Sequence, residues 1–154
     1  MTKPRRRPRR LAKKAVPKKP FVPSDEPRAV DADIELIEGK SSSTKTGGGP
    51  GGCFWHVRFR GAPAGRAYIN YHESESGEPR PSVTVMLNQQ SQGRGIGTLA
   101  FRRAAELSPY SEVYATLAQK NVASRIALER AGFQTVEGWT GGELYMVWKR
   151  DRPT

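Results

Sequence analysis

The feature that most constrains the fold is a strand, a glycine-rich loop and a helix that follow one another in mid-chain. Residues Ser82 to Leu87 are β-branched and apolar enough to predict a central strand. The loop Gln92-Gly93-Arg94-Gly95-Ile96-Gly97 then leads to a helix predicted from Thr98 to about Leu107. The first N–H groups of a helix are unpaired, and glycines let a phosphate approach them, so this order predicts an anion site. A tight turn that binds nothing is the alternative.

Alternating and helical patterns predict the remaining elements. The predicted strands are 32–38, 53–60, 66–72, 112–117, 133–136 and 144–148, with a turn at 61–65 and a second helix from Val122 to Ala131. The order β, β, β, β, α, β, α, β, β indicates an α/β (α+β) protein, in which helices cover a mixed sheet. Residues 40–52 are Ser/Gly-rich and are predicted to form a flexible loop.

Charge is concentrated at the N-terminus. Ten of the chain's Lys and Arg residues lie within residues 3–19, no acid occurs in residues 1–20, and everything after residue 20 carries about +1 of the total +11. Frequent prolines and few apolar residues accompany these charges. The sequence therefore predicts a disordered basic tail over residues 1–30, a folded domain over 31–150 and a short C-terminal tail over 151–154.

Several classes of protein are disfavoured. Cys53 is the single cysteine, and no Cys/His cluster has the spacing of metal ligands, so we expect neither a disulfide nor a metal. Two lysines interrupt the apolar residues near the start, and no stretch approaches the ~20 apolar residues of a membrane span. These features favour a soluble cytoplasmic protein.

Two motifs resemble those of the GNAT acyltransferases. The run 92–97 matches the pyrophosphate motif Gln/Arg-x-x-Gly-x-Gly/Ala of that family at each fixed position. About two dozen residues later, the segment from Asn121 through Ser124 to Gly132-Phe133 is similar to its second signature, Asn-x-x-Ser/Ala running to Gly-Phe. The resemblance covers roughly residues 32–150 and implies the GNAT fold and use of acetyl-CoA.

The resemblance also implies a cofactor site. In the family, the strand before the loop splays from its neighbour and opens a slot for the pantetheine arm. This places the backbone of Met86 and Leu87 along the arm and the N–H groups of residues 92–98 on the pyrophosphate. The cofactor-binding residues implied are Met86, Leu87, Gln92, Gly93, Arg94, Gly95, Ile96, Gly97, Thr98, Asn121 and Ser124. Helix capping is the alternative role of Asn121 and Ser124.

The expected reaction is direct attack of a primary amine on the thioester, and two departures from the family concern its protons. Many members carry a tyrosine seven residues after the motif Asn, where this chain has Leu128, so Ser124 is the candidate donor to the thiolate. The central strand lacks the glutamate base that some members use. Glu73 is the candidate base, with Glu75, His72 or no dedicated base as alternatives.

The acceptor side departs as well. Members of the family carry two helices between their first two strands, whereas this chain has only residues 40–52 there. Either the acceptor site is open to a large substrate such as a protein chain, or a second subunit supplies a wall and the protein is a homodimer. The acceptor itself, whether a protein N-terminus, a lysine or a small amine, is left open.

Three functional hypotheses follow. The favoured one is an acetyl-CoA-dependent N-acetyltransferase. The second is a nucleic-acid-associated protein that uses the cations of residues 3–19, for which a solubilising or localising extension is the alternative. The third is a pseudoenzyme that binds CoA without turnover, suggested by Leu128 and the missing base.

Overall fold

The computed structural model describes residues 28–40, 43, 45–136 and 142–150, which form one seven-stranded sheet and two α-helices. The sheet order is β1-β2-β3-β4-β5-β7-β6, and only the β4–β5 pair is parallel among the described strands. The elements are β1 (Ile34–Glu38), β2 (Cys53–Phe59), β3 (Ala62–Asn70), β4 (Ser82–Leu87), α1 (Ile96–Leu107), β5 (Glu112–Ala118), α2 (Val122–Arg130), β6 (Gln134–Thr135) and β7 (Glu143–Lys149). The predicted order and fold class are confirmed.

Both helices pack on one face of the sheet. Ala100 and Ala104 of α1 are fully buried, and their small side chains let the helix lie close to the strands. The rings of Phe101 and Phe133 meet edge-on at 6.3 Å, which joins α1 to the end of α2. Leu107 is 54% exposed, because it is the last residue of α1 and borders a surface cleft.

The opposite face, which we call the open face, carries no helix of the described chain. Alternation along the paired strands places polar and aromatic side chains there. They are Phe54, His56 and Arg58 of β2, Arg66, Tyr68 and Asn70 of β3, Thr84 and Met86 of β4, Tyr114 and Thr116 of β5, and Tyr145 and Val147 of β7.

The β2–β3 hairpin differs from its prediction. The turn is Arg60-Gly61, with φ of 48° and 81°, and β3 begins at Ala62 rather than at Arg66. Positive φ at both central residues is the geometry of a two-residue hairpin turn that matches strand twist. Pro63 is tolerated because it lies opposite the register shift at Val57 and Arg58, where the ladder is already interrupted.

The described part of the Ser/Gly segment packs against the open face. Gly47 lies so close to the Tyr68 ring that a Cβ there would collide with it, and the Gly48 N–H donates to Asn70 Oδ1 at 2.6 Å. The Tyr110 hydroxyl donates to the Gly51 carbonyl. Glycine therefore serves close packing here, although the composition predicted flexibility.

The fold starts before the predicted boundary at residue 31. The Ala29 N–H donates to the Arg94 carbonyl at 3.0 Å, and Ala29 packs against the core. The predicted tail up to residue 27 and the predicted segment 151–154 lie outside the described residues. Within the described chain, no helix is long and apolar enough to cross a membrane.

Candidate cofactor site

The strands β4 and β5 touch at one end and separate at the other. Ser82 pairs with Tyr114, and the Tyr114 N–H donates to the Pro81 carbonyl at 2.8 Å. Past this point β4 continues to Leu87 and β5 to Ala118 without further pairing. The result is a wedge-shaped slot, with its closed end at Ser82 and its mouth beyond Leu87. Its walls carry backbone groups that a strand-like ligand could pair with.

The glycine-rich loop lies at the mouth of this slot. Asn88 holds the turn Gln89–Ser91 by accepting from the Ser91 N–H at 3.0 Å. Gly93 and Gly95 then adopt φ of 79° and 82°, a region that glycine enters without strain. Gly95 is the N-cap residue of α1, and it offers no side chain to the first N–H groups of the helix.

The helix α1 begins at Ile96, two residues before the predicted start at Thr98. The Leu99 N–H makes the first bond within the helix, to the Gly95 carbonyl, so the N–H groups of Ile96, Gly97 and Thr98 precede the helical ladder. No acidic residue occupies the first turn. Partial positive charge and unpaired donors together make this helix end suitable for an anion.

The space beside these donors is open. A Cβ at Gly95 would meet no heavy atom within 4 Å, and one at Gly97 would approach only Leu87 Cδ1, at 3.8 Å. The loop therefore leaves room for a phosphate against its backbone, and the described residues fit a pyrophosphate group.

The other predicted residues of the loop have structural contacts of their own. The Gln92 amide donates to the Leu87 carbonyl at 3.3 Å and so fixes the end of β4. The Arg94 guanidinium lies 4.5 Å from the centre of the Phe59 ring. Ile96 is fully buried, so only its backbone can reach a ligand, whereas Met86 is 48% exposed beside the slot.

Asn121 and Ser124 lie at the same edge of the sheet, because parallel β4 and β5 end there together. Asn121 follows β5, and its N–H donates to the Ala118 carbonyl at 2.9 Å. Its Oδ1 accepts from the Ser124 N–H at 3.1 Å, which is an N-cap of α2. The capping role is therefore present. The partly buried Ser124 hydroxyl has no hydrogen-bond partner among the described residues.

Leu128 and Glu73 lie away from the mouth. Leu128 is 1% exposed and belongs to the core. Glu73 is exposed and follows the end of β3 that pairs with Ser82, at the closed end of the slot. Glu73 Oε1 accepts from the Tyr71 hydroxyl at 3.0 Å, and this bond raises the pKa of Tyr71.

A polar cluster at the closed end includes two residues that sequence reasoning missed, Glu112 and Arg80. The Tyr114 hydroxyl donates to Glu112 Oε2 at 2.6 Å and accepts from Arg80 Nη1 at 3.1 Å. The Tyr145 ring stacks on Tyr114 at 5.2 Å. Burial, followed by the bond to Glu112, raises the pKa of Tyr114 to about 12, so its phenol stays protonated at neutral pH. These residues come together only because β4, which follows Arg80, pairs with β5, and β5 pairs with β7.

A separate surface cleft lies elsewhere. It has a volume of about 900 Å³ and separates the β1–β2 connection from the C-terminal end of α1, at Leu107 and Pro109. Cys53 lines it, and burial, with a smaller effect of Glu38, raises the pKa of this thiol. No group of three potential metal ligands occurs among the described residues. The cleft is at the opposite end of α1 from the glycine-rich loop and adds nothing to the cofactor site.

The comparison with known families agrees with this geometry. The family model described as an acetyltransferase (GNAT) domain matches residues 10–134. The chain belongs to the GNAT acetyltransferase family. No curated protein matches the sequence at a significant level.

Solved structures share the fold at low sequence identity. A protein from Bordetella pertussis assigned to the GNAT family has 20% identity and a TM-score of 0.51, over 63% of this chain and 65% of that one. The enzyme AAC(6')-Ib, in complex with paromomycin and acetyl-CoA, has 23% identity and a TM-score of 0.55, over 65% and 66%. The GNAT domain of S. lividans PAT has 13% identity and a TM-score of 0.54, over 64% and 61%. The chain thus spans less than two thirds of each of these proteins.

Proposed function

We propose that the protein is an acetyl-CoA-dependent N-acetyltransferase that transfers an acetyl group to a primary amine. The observation that carries this proposal is the slot between β4 and β5, whose mouth opens on the N–H groups at the start of α1. Membership of the GNAT family supports the same activity. Acetyl-CoA, when bound, would supply the thioester.

The residues of the mouth would hold the cofactor. The N–H groups of residues 92–98 would bind the pyrophosphate, since they combine unpaired donors with open space at Gly95 and Gly97. The backbone of Met86 and Leu87 would pair with the pantetheine arm, and Asn121 with Ser124 would contact it from β5 and α2. The described residues offer no metal cluster for this chemistry.

Proton handling would involve one of two candidates, Ser124 near the mouth or Glu73 at the closed end, because the thiolate leaves and the amine attacks at the same carbonyl carbon. The hydroxyl of Ser124 would donate to the departing thiolate, and its lack of a hydrogen-bond partner among the described residues supports this role. In the alternative, Glu73 would remove a proton from the ammonium group of the acceptor, and the neutral amine would then attack the thioester. Glu73 follows the end of β3 that pairs with Ser82, so this alternative requires the reactive end of the arm to lie at the closed end of the slot.

The acceptor would approach the open face. Where most members of the family have two helices, this chain has residues 40–52, and the described part of that segment packs against residues that include Tyr68 and Asn70. No helix among the described residues covers the rest of the open face, which favours a large acceptor such as a protein N-terminus or lysine over a small amine in a closed pocket. A second copy of the chain that supplies a wall is the alternative arrangement. A cytoplasmic location remains part of the proposal.

Calorimetric titration with acetyl-CoA, followed by a free-CoA release assay on a panel of amines, tests the proposal. We expect a dissociation constant in the micromolar range, roughly −8 kcal/mol, and CoA release with at least one amine. Binding without turnover would favour the CoA-binding pseudoenzyme, which the burial of Leu128 also suits. Absence of binding would refute both.

A further inference from the structure

Arg66 places a positive charge on the open face, next to the strand that forms one wall of the slot. It lies on β3, directly opposite Met86 of β4 in the strand register. Arg66 Nη2 donates to Met86 Sδ at 3.3 Å, so the guanidinium group reaches across to β4. Met86 belongs to the part of β4 that has already separated from β5. The guanidinium group therefore lies beside the slot, on the face from which the acceptor is proposed to approach.

The contacts of this guanidinium group are weak ones. Besides the sulfur of Met86, it lies 5.8 Å from the centre of the Tyr68 ring, and the Arg66 side chain is half-buried. A thioether is a weak hydrogen-bond acceptor, whereas a guanidinium group carries five N–H donors in a planar fork. Such a fork binds a carboxylate through two parallel hydrogen bonds. Arg66 is thus suited to bind a carboxylate that comes from outside the fold.

Other arginines differ from Arg66 in this respect. Arg60 Nε lies 3.3 Å from Asp33 Oδ1, and Arg102 Nη2 lies 2.6 Å from Asp31 Oδ1. The chain therefore supplies a carboxylate to each of these two guanidinium groups. Within the described part of the chain, no carboxylate forms an ion pair with Arg66.

The charge pattern of the open face singles out the same residue. The titratable acids and bases that the strands place on that face are Glu35 of β1, His56 and Arg58 of β2, Arg66 of β3, Glu112 of β5, and Glu143 and Lys149 of β7. Glu35 lies opposite Arg58, and Glu112 lies opposite Lys149, so these charges offset each other across neighbouring strands. The neighbour of Arg66 on β2 is His56, which is not an acid. Arg66 and Glu143 remain, on opposite sides of the slot.

From the contacts of Arg66 and this charge pattern, we propose that Arg66 selects an acidic peptide as the acceptor, one with a carboxylate close to the reactive amine. The inference rests on the proposed function, because the acceptor meets the thioester in the slot beside Met86. The guanidinium group binds the carboxylate of the acceptor, and the amine lies over the slot, between Arg66 and Glu143. Arg66 determines specificity in this arrangement and takes no part in the chemistry.

The test uses matched peptides that differ only in charge. One pair, the amidated peptides Ser-Asp-Glu-Phe and Ser-Asn-Gln-Phe, has its only amine at the N-terminus. A second pair is N-acetylated and amidated, with a single lysine between Asp and Glu or between Asn and Gln. CoA release gives kcat and KM for each peptide with the full chain and with its Arg66→Gln and Arg66→Lys variants.

We expect the unsubstituted chain to use the acidic peptide of at least one pair about tenfold better in kcat/KM, mainly through a lower KM, because the ion pair contributes to binding. Arg66→Gln should reduce this preference to within about twofold, since it removes the charge of the guanidinium group. Arg66→Lys should keep part of the preference, because it retains the charge but lacks the fork.

Arg102→Gln is the matched control. It removes the same charge from α1, on the covered face of the sheet, and should keep the full preference for the acidic peptide. The melting temperature of each variant verifies its folding, and calorimetry should give the same acetyl-CoA affinity for Arg66→Gln as for the unsubstituted chain.

Equal use of acidic and amide peptides by the unsubstituted chain, or a preference that survives Arg66→Gln, would overturn the inference. Weaker acetyl-CoA binding by folded Arg66→Gln would also overturn it and assign Arg66 to the cofactor. If another amine is acetylated but neither acidic peptide is, the inference fails and the proposed function stands. If no amine supports CoA release, the proposed function itself is refuted.

Discussion

At the mouth of the slot, the groups proposed to bind a ligand are the backbone N–H groups of Ile96, Gly97 and Thr98, whereas the closed end is held together by side-chain contacts to Tyr114. The mouth depends on consecutive residues and on glycines that leave the backbone accessible. The closed end depends on Arg80, Glu112 and Tyr145, which meet only because β4, β5 and β7 are neighbours. A site made of local backbone is encoded locally. A site made of side chains from distant segments is set by sheet pairing.

The largest effect is expected at the mouth. Gly95→Asp places a carboxylate beside the N–H groups that are proposed to bind the pyrophosphate, and the two negative groups repel each other. Acetyl-CoA affinity should therefore fall by more than about 100-fold, or more than about 2.7 kcal/mol. Gly95→Asn is the matched control, because Asn tolerates the same positive φ and adds no charge. Calorimetry on both, with melting temperatures to verify folding, measures the charge effect. Undiminished affinity in folded Gly95→Asp would remove the basis of the cofactor assignment.

A smaller effect is expected for proton transfer beside the mouth. Ser124→Ala should lower kcat by at least about tenfold, near 1.4 kcal/mol, with little change in CoA affinity. Asn121→Ala removes the cap of α2, so it should weaken both binding and rate and cost about 1 kcal/mol of stability. Turnover, affinity and melting temperature of both variants separate the two roles. Full turnover of Ser124→Ala would make Ser124 structural.

The environment of Tyr114 at the closed end can be tested by measuring the melting temperature as a function of pH. The pKa of Tyr114 is raised to about 12 in the folded protein, from about 10 for the unperturbed phenol. The folded state therefore holds this proton more tightly, and the stability it confers is present below pH 10 and lost as pH rises toward 12. Tyr114→Phe should show a shallower loss of melting temperature over this range. Identical slopes for the two proteins would mean that the pKa of Tyr114 is not raised in the folded protein.

The smallest effect on stability is expected from the N-terminus. Deletion of residues 1–27 should leave the melting temperature almost unchanged, while it sharply weakens retention of DNA or RNA at low salt. Deletion of residues 1–33 is the control, because it also removes the contacts of Ala29, Asp31 and Asp33 and should lower the melting temperature by several degrees. Retention that survives the shorter deletion would locate a polyanion site in the folded domain.

The order of strands and helices could be predicted because each element has its own period of apolar residues. The predicted ends of the strands were less accurate where the local sequence pattern and the pairing of strands favour different end points. The glycines around Pro63 indicated a long turn, yet the turn is Arg60-Gly61, since the register shift at Arg58 lets the proline enter β3. The Ser/Gly segment was predicted to be flexible from composition, and only the Tyr68 ring beneath Gly47 shows why glycine is needed there.

The sequence by itself determined the family, the order of elements and the strand–loop–helix arrangement around residues 92–97, because these depend on residues close together in the chain. Tertiary structure alone decided that Arg80 reaches the Tyr114 hydroxyl and that the chain before β1 runs beside Arg94. Both features are contacts between segments far apart in sequence. Such contacts follow from the packing of the whole sheet, which no local pattern of residues records.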